Sequence, residues 1–211
     1  MSPTSAARKS AAVGLAAFVA LTIGVATDVL TGLDQSIADA GLSGDRSSVL
    51  YWPARVGFSL GQNWVFPLAS AVVAVILAGR RRSARPIGGL LGVWLVHLVV
   101  IGAVKLWADR PPPANGNPHL HAGGLSFPSG HAANILVFSA TLGVLLVALT
   151  GDQRWFRRTT LLGVGAATIC VVSMVGLGFH WATDAAAGLA LGTALRALMT
   201  PLFASFACNT R

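Results

Sequence analysis

Long apolar runs alternate with short polar segments along this chain of 211 residues. A helix needs about twenty mostly apolar residues to cross the hydrocarbon layer of a bilayer. Six stretches meet that requirement: residues 11–30, 60–78, 87–107, 131–150, 160–178 and 184–206. The pattern therefore predicts an all-α integral membrane protein, a bundle of six transmembrane helices that forms a single domain over residues 1–211.

The first apolar run has two interpretations. Arg8 and Lys9 precede it, as basic residues precede the apolar core of a signal peptide. However, the run is long enough to span a bilayer, and no small-residue cleavage site follows before the next polar segment. We therefore expect it to be a retained helix.

Basic residues lie mainly on one side of the predicted spans. In short loops, Lys and Arg are enriched on the cytoplasmic side. Ten residues fall on one side: Arg8, Lys9, Arg80, Arg81, Arg82, Arg85, Arg154, Arg157, Arg158 and Arg211. The other side has Arg46, Arg55, Lys105 and Arg110. The asymmetry predicts a multi-pass protein of the cell membrane with both termini in the cytoplasm and with residues 31–59, 109–129 and the turn at His180 outside. Within 31–59, Tyr51 and Trp52 favour an amphipathic segment in the headgroup region.

Composition excludes an ordinary soluble domain. Hydrophobic residues make up 54% of the chain and charged residues 10%, whereas soluble domains carry roughly a quarter charged residues. The net charge of +8 could indicate a nucleic-acid partner. We exclude nucleic-acid binding because the basic residues cluster between apolar runs instead of covering a polar face.

Four ionisable residues lie at the predicted outer ends of the spans. They are Lys105, His131, His180 and Asp184. A charge inside the bilayer costs at least about 2.5 to 3.5 kcal/mol and usually marks a functional site. Snorkelling to the interface explains one such lysine, but it explains four converging residues poorly. His97 lies deeper, in the third span, where we expect it to bond to a neighbouring helix. A functional role is the alternative.

The spacing of His180 and Asp184 favours chemistry. Residues four apart share one face of a helix, and a carboxylate on one imidazole nitrogen leaves the other free as a nucleophile or base. The alternative is that Asp184 only complements the positive end of a helix dipole.

The segment Pro128-Ser129-Gly130-His131 precedes the fourth apolar run. Ser129 is a good helix N-cap, and free amides at a helix N-terminus bind anions such as phosphate. Gly130 allows an anion to approach the backbone closely, and His131 could protonate a leaving oxygen. Helix capping alone explains Ser129 and Gly130 but does not require His131.

With these residues, the chain resembles the type 2 phosphatidic acid phosphatases, a membrane branch of the superfamily that also contains the vanadium haloperoxidases. The family pattern has three parts: K-x6-R-P, P-S-G-H and S-R-x5-H-x3-D. The second part is intact, and Ser173, His180 and Asp184 have the spacing of the third. The resemblance covers nearly the whole chain and implies a haloperoxidase-like helical core.

The resemblance also implies a mechanism. His180 would attack phosphorus to form a phosphohistidine, and Asp184 would orient its ring. His131 would protonate the departing lipid alkoxide and then activate water. No metal or other cofactor is implied. The phosphoryl oxygens would be held by Lys105, Ser129 and the Gly130 amide.

Two motif arginines are replaced. Met174 stands at the arginine of the third part, and Pro112 stands seven residues after Lys105, at the arginine of the first. Losing one such donor to a transition state costs about 2.7 to 4 kcal/mol. Arg110 is the nearest replacement, and we expect the prolines that follow it to extend the chain so that it reaches the phosphate.

His119 and His121 lie in the polar loop between the third and fourth spans. They could supply positive charge or contact the head group of a substrate. Their spacing also suits metal ligands, but no third ligand is near, so we predict no metal site. An ordinary polar loop is the alternative.

Together these features predict a metal-independent lipid phosphatase that acts at the extracytoplasmic face. Its substrate would be a lipid phosphate or diphosphate of lipid metabolism or envelope biogenesis: a polyprenyl phosphate or diphosphate, phosphatidic acid or phosphatidylglycerol phosphate. A lipid phosphotransferase using the same histidine is one alternative. A catalytically weak protein that binds phospholipids or serves as a scaffold is another, and the missing arginines favour it. The sequence leaves the oligomeric state open.

Overall fold

The computed structural model describes residues 5–41 and 47–208, and every regular element in these ranges is helical. Arg46 and Arg211, which contribute to the predicted charge asymmetry, lie outside the described residues. The α-helices in chain order are α1 Ser5–Ala26, α2 Thr31–Asp39, α3 Tyr51–Ser59, α4 Phe66–Arg81, α5 Arg85–Ala108, α6 Gly130–Thr150, α7 Arg154–Gly176 and α8 Ala182–Cys208. A short 3-10 helix, Pro113–Asn115, follows α5.

Five of the described helices, α1, α5, α6, α7 and α8, are long and apolar enough to cross a membrane. The chain is thus an all-α, multi-pass membrane protein. In the place of the predicted span 60–78, α4 begins only at Phe66 and has 16 residues, about 24 Å at 1.5 Å per residue. Residues 60–65 form turns instead of helix, and Pro67 occupies the first turn of α4, where a missing amide hydrogen costs nothing.

Helix α6 is the centre of the bundle. It packs against α4, α7 and α8, and its N-terminal half is buried almost continuously from Ala132 to Thr141. Small residues allow the helices to approach closely. At Gly192 of α8, an added Cβ would lie 2.7 Å from the Cα of Ala133. Close backbone approach at small residues is how helices associate within lipid.

The outward faces of the long helices carry large exposed apolar side chains. Examples are Ile23 on α1, Val99 on α5 and Val172 on α7. Contiguous exposed apolar surface of this kind is rare on soluble monomers. It is the surface expected where helices contact lipid tails.

Residues 31–59 are not simply an outer loop. They contain α2 and α3, which pack against α7, with α2 also contacting α8. On α3, Tyr51 is buried and Trp52 is exposed. These two short helices cover the end of the bundle at which α5 ends and α6 and α8 begin.

Candidate active site

A cavity of about 530 Å³ opens at this end of the bundle. Four of the residues singled out in the sequence line it: Lys105 from the last turn of α5, Gly130 and His131 from the first turn of α6, and His180 from the turn before α8. The structure therefore brings together residues that are up to 75 positions apart in the sequence.

His131 and His180 face each other across the cavity. Their ring centroids are 6.0 Å apart, and the ring planes are inclined at 68°. His180 is buried, with 7% of its surface exposed. A group bound between the two rings would contact an imidazole on each side, which is the arrangement that a nucleophile and a proton donor require.

Asp184 lies in the first turn of α8, four residues after His180, which precedes the helix. One of its oxygens, Oδ2, is 3.5 Å from His180 Nδ1 and also accepts a hydrogen bond of 3.0 Å from the Trp181 amide. His180 Nδ1 is buried and makes no hydrogen bond within the described residues. The carboxylate is therefore placed to select the His180 tautomer in which Nδ1 carries the proton. Catalytic hydrogen bonds of this kind are often long in the absence of substrate and shorten when substrate binds.

Lys105 supplies the positive charge of the cavity. Its ammonium group donates hydrogen bonds to the carbonyl oxygens of Leu125 and Ser126. Within the described residues no carboxylate lies within ion-pair distance of it. Its charge is therefore available to an anion in the cavity.

The N-terminus of α6 adds backbone donors. Ser129 is the N-cap residue, and its amide donates to the carbonyl of Asp184 at 2.9 Å. The next amides, those of Gly130 and His131, belong to the first helical turn and have no partner within the helix. They point toward the end of the bundle at which the cavity lies.

Arg110 lies away from the cavity, so the prediction that it contacts the phosphate is wrong for this structure. Its side chain is fully buried. Its guanidinium donates to Asp34 Oδ2 at 2.7 Å, to Asp184 Oδ1 at 2.6 Å and to Thr183 Oγ1 at 2.8 Å, while Nε donates to the carbonyl of Pro118 at 2.7 Å. Two carboxylates compensate its charge. Arg110 thus fixes the carboxylate that faces His180.

Asp34 is the residue that sequence reasoning missed. It is fully buried on α2, where it accepts hydrogen bonds from Arg110 and from the amide and hydroxyl groups of Thr183. The segment 31–59 is predicted as an outer loop, so its acidic residues did not stand out. A buried guanidinium requires compensating carboxylates. The presence of Arg110 beside predicted spans therefore indicated that an acidic residue elsewhere in the chain would pair with it.

Ser129 also departs from its predicted role. Its side chain is fully buried and outside the cavity lining, and Oγ lies 3.3 Å from the sulfur of Met174. It makes no side-chain capping bond to α6. Met174 is itself fully buried. Its thioether, a weak acceptor, accepts a hydrogen bond from the Ser129 hydroxyl, which was expected to bind phosphate.

The loop histidines lie outside the cavity lining as well. His119 Nδ1 is 2.7 Å from Asp28 Oδ1 in an exposed pair at the end of α1. His121 packs edge-on against Trp107. Neither lines the cavity, so the structure does not support a direct contact of these side chains with a phosphate held there.

The turn at Gly61 forms another wall of the cavity. The Asn134 amide group donates to the carbonyls of Gly61 and Gln62 at 3.0 and 3.3 Å. An added Cβ at Gly61 would lie 2.6 Å from His131 Cβ and 2.8 Å from Cys170 Sγ. Only glycine lets the turn approach His131 this closely.

Aromatic rings enclose His131 on its other side. The Phe58 ring lies 4.5 Å from the His131 ring and 4.9 Å from the Phe179 ring. The Arg55 guanidinium lies over both phenylalanines, at 5.8 and 5.3 Å from their centroids. Helix α3 thus buttresses the catalytic histidine candidate and holds a cation near the site.

His97 lies at the deep end of the same cavity. It was expected to bond to a neighbouring helix, and that expectation is wrong. It is 7% exposed, its ring packs edge-on against Phe138 at 5.7 Å, and Nδ1 has no hydrogen-bond partner within the described residues. The cavity therefore extends from the two facing histidines down to a third.

The chain is similar in sequence to known proteins. Residues 86–206 match the family model described as the PAP2 superfamily. The chain is 32% identical over 125 residues to the "probable lipid phosphate phosphatase beta" of Arabidopsis thaliana, covering 49% of this chain and 58% of that protein. It is 29% identical over 109 residues to phosphatidylglycerophosphatase B of Bacillus subtilis strain 168, covering 48% and 53%. The alignments thus span little more than half the length of these curated relatives.

The fold is also that of a solved relative. The crystal structure of a transmembrane PAP2-type phosphatidylglycerolphosphate phosphatase from Bacillus subtilis superposes with a TM-score of 0.74 at 23% identity. The match covers 90% of this chain and 95% of that chain. Since the family match includes more than half of the sequence, the chain belongs to the PAP2 superfamily.

Proposed function

We propose that this protein is a lipid phosphatase that works through a phosphohistidine on His180. The observation that carries the proposal is the pair of facing imidazoles, 6.0 Å apart, in a cavity whose lysine has no carboxylate partner within the described residues. A membrane helix bundle suits a substrate with its tail in lipid and its phosphate in water.

In the first step, His180 Nε2 forms a bond to phosphorus while the bond from phosphorus to the lipid oxygen breaks. Nε2 is the free nitrogen because Nδ1 faces Asp184. His131 gives its proton to the departing lipid oxygen. Lys105 and the amides of Gly130 and His131 stabilise the negative charge on the phosphoryl oxygens, as preorganised donors do in enzyme active sites.

In the second step, water takes the place of the lipid. His131 accepts a proton from the water as its oxygen attacks phosphorus, and the bond between phosphorus and His180 breaks. Inorganic phosphate leaves, and both histidines return to their starting states. Asp184, held by Arg110, keeps the His180 ring oriented throughout.

The test is release of inorganic phosphate by the purified protein in detergent from phosphatidic acid, phosphatidylglycerol phosphate, and polyprenyl phosphate and diphosphate. We expect His180→Ala to lower the rate by at least about a thousandfold, as removal of a covalent nucleophile does. His119→Ala is the matched control, since this histidine is exposed and outside the cavity lining. Equal rates for wild type and His180→Ala would refute the assignment.

We further propose that the site faces the extracytoplasmic side, on the basis of the Lys and Arg distribution in the sequence. The test uses a chain whose two cysteines are replaced by serine, with a new cysteine at the exposed His121 or, at the opposite end of the bundle, at the exposed Gln153. A membrane-impermeant maleimide added to whole cells should label only the first variant. Labelling of only the Gln153 variant would show that the topology is the reverse of the one proposed.

One observation favours a second candidate, a catalytically weak phospholipid-binding protein. Met174 is buried, and Arg110 is engaged by two carboxylates, so Lys105 is the one cationic side chain in the described cavity lining apart from the histidines. If phospholipids shift the unfolding temperature of the folded protein while none of the panel releases phosphate, this candidate replaces the phosphatase.

A further inference from the structure

A second cavity lies at the end of the bundle opposite to the active site. It has a volume of about 430 Å³, in the range of ligand sites, and lies between the first turns of α1 and α7 and the C-terminal half of α8. Ser10, Phe156, Arg196 and Thr200 are among its lining residues. Arg196 follows Asp184 by twelve residues, about 18 Å along α8, so this space is separate from the catalytic cavity. We call it the Arg196 cavity.

The packing of α1 against α8 closes the Arg196 cavity on its inner side. At Gly14 of α1, an added Cβ would lie 2.7 Å from the carbonyl oxygen of Ala190 and 2.9 Å from the amide nitrogen of Ala194. The two backbones therefore touch one turn further into the bundle than Ser10. Ser10 itself is exposed and lines the cavity. The cavity is thus a recess that a molecule can enter from the surface of the bundle.

Arg196 is the one charged side chain in the described lining of this cavity. It is half-buried, and its Nη2 donates a hydrogen bond of 2.9 Å to the hydroxyl oxygen of Thr160. Thr160 lies in the second turn of α7, so the guanidinium is held inside the bundle and does not extend toward water as a snorkelling arginine would. A charge at such a position normally has a charged or polar partner, or marks the path of a ligand.

No carboxylate among the described residues compensates Arg196. The acidic residue described at this end of the bundle is Asp152, whose carboxylate accepts a hydrogen bond of 2.9 Å from the Arg154 amide. The basic residues at this end are far more numerous: Arg8, Lys9, Arg80, Arg81, Arg82, Arg85, Arg154, Arg157 and Arg158. Their combined field favours an anion as the partner of Arg196.

Apolar surface adjoins the Arg196 cavity on two helices. Val13 follows Ser10 by three residues on α1, and Leu198 precedes Pro201 by three residues on α8. Each therefore lies on the same side of its helix as a lining residue. Both side chains are exposed, Val13 at 68% and Leu198 at 47%. An anion that carries hydrocarbon chains would have its charge at Arg196 and its chains against this apolar surface.

We propose that the Arg196 cavity binds the headgroup of an anionic phospholipid from the leaflet opposite to the active site, with its phosphate on the N–H groups of Arg196 that Thr160 leaves free. A guanidinium binds phosphate oxygens through paired, charge-assisted hydrogen bonds. Basic pockets between transmembrane helices bind acidic lipid headgroups in this way. The exposed Arg8 and Lys9, next to Ser10 on α1, favour a lipid with a net negative charge over a zwitterionic one. The inference does not depend on the proposed phosphatase function.

The experiment measures lipid binding to the purified protein by native mass spectrometry from a neutral detergent. Wild type and Arg196→Gln are titrated with dioleoyl phosphatidylglycerol and, separately, with dioleoyl phosphatidylcholine. Glutamine removes the charge but keeps a donor for Thr160. We expect the substitution to raise Kd for phosphatidylglycerol at least about tenfold, as loss of a hydrogen bond between charged groups does. Wild type should bind phosphatidylcholine about fivefold more weakly, since the choline group brings positive charge to a basic surface.

Two further variants serve as controls. Arg158→Gln removes a charge at the same end of the bundle from an exposed side chain that stacks on Trp155 and lies outside the cavity lining. It should change Kd for phosphatidylglycerol by less than about threefold. Lys105→Met removes the cation of the catalytic cavity and should likewise leave this Kd unchanged. Loss of binding in Lys105→Met, with Arg196→Gln unchanged, would place the lipid in the catalytic cavity and overturn the proposal.

Thermal unfolding in detergent gives a second readout and verifies that each variant is folded. Without lipid, Arg196→Gln should unfold at or above the wild-type temperature, because an uncompensated charge has been removed. Added phosphatidylglycerol should raise the unfolding temperature of wild type more than that of Arg196→Gln. Equal increases in the two proteins, equal losses of affinity in Arg158→Gln and Arg196→Gln, or the same increase from inorganic phosphate alone would overturn the anionic lipid site. None of these outcomes bears on phosphate release at His180.

Discussion

Arg110 and Asp184 form a fully buried ion pair, with 2.6 Å between Nη1 and Oδ1, on the side of Asp184 opposite to His180. The same guanidinium binds Asp34 of α2. One arginine therefore links the short helix α2, the loop after α5 and the start of α8. The carboxylate that faces His180 is fixed by this network rather than by solvent.

Replacing Arg110 should act on stability and not on phosphate affinity. Removing one partner of a buried ion pair costs about 3 to 5 kcal/mol because the remaining charge is left uncompensated. We expect Arg110→Met to lower the unfolding temperature in detergent strongly and to reduce kcat in the protein that remains folded. Lys105→Met should instead raise KM and lower kcat, because it removes a donor to the phosphoryl oxygens, with little loss of stability. If Arg110→Met unfolds like wild type and raises KM as Lys105→Met does, Arg110 is a phosphate ligand.

Replacing Asp34 should destabilise the protein, although Asp34 belongs to none of the three sequence motifs. Asp34→Asn retains the shape but removes the charge that compensates Arg110, and a hydrogen bond to a charged group contributes about 1.5 to 3 kcal/mol. Asp39→Asn on the same helix is the control, because Asp39 is exposed and its carboxylate accepts a hydrogen bond from the Gln35 side chain and from no other side chain of the described residues. Thermal unfolding of the two variants measures the difference, and equal stabilities would contradict the network.

Ser129→Ala should have a small effect on turnover. The hydroxyl bonds to the sulfur of Met174 and not to the cavity, so its removal should change kcat/KM by less than about threefold, the loss of a weak hydrogen bond. Phosphate release by this variant, measured beside Lys105→Ala, tests the point. A loss as large as that of the lysine variant would mean that the hydroxyl turns to the phosphate when substrate binds.

Gly61→Ala should reduce turnover by displacing His131. The new Cβ would lie 2.6 Å from His131 Cβ, so the turn or the histidine must shift, and small misplacements of a reacting group can cost about a hundredfold in rate. Gly92→Ala on α5, where an added Cβ meets nothing within 4 Å, is the control and should leave the rate unchanged. An active Gly61→Ala variant would show that the turn moves without affecting His131.

Chelation of metal ions should leave phosphate release unchanged. In the proposed mechanism, Lys105, the amides at the start of α6 and His131 supply the positive charge and the proton that a metal centre would otherwise supply. The measurement is the rate before and after EDTA treatment followed by removal of the chelator. Loss of activity that returns when a divalent cation is added would contradict this mechanism.

Much of the site was predictable because its residues combine into short motifs. The interval between His180 and Asp184 predicted that the two side chains would meet, and His180 Nδ1 and Asp184 Oδ2 are 3.5 Å apart, although α8 begins only at Ala182 and His180 lies in the turn before it. The apolar runs likewise predicted the all-helical membrane fold, because a bilayer forces long uninterrupted apolar helices on the sequence. Lys105 and His131 were expected at the same depth from their places at the ends of their spans, and both line the cavity.

Side-chain direction was not predictable in the same way. Arg110 and Ser129 were expected at the phosphate, and His119 and His121 were candidates for contact with the substrate. Each of these side chains makes its contacts elsewhere. A residue in an irregular loop has no periodicity from which its direction can be derived, so only the packed structure decides which partner it takes.

The sequence by itself determined the membrane-spanning pattern and the order of the motif residues along the chain. Both follow from local rules, the length of an apolar helix and the geometry of one helical turn. Only the tertiary structure decided that Asp34 compensates Arg110, that Gly61 touches His131, and that His97 belongs to the same cavity as His180. The residues of these three pairs are 76, 70 and 83 positions apart in the sequence. Contacts at such separations depend on how the helices pack, which no local pattern encodes.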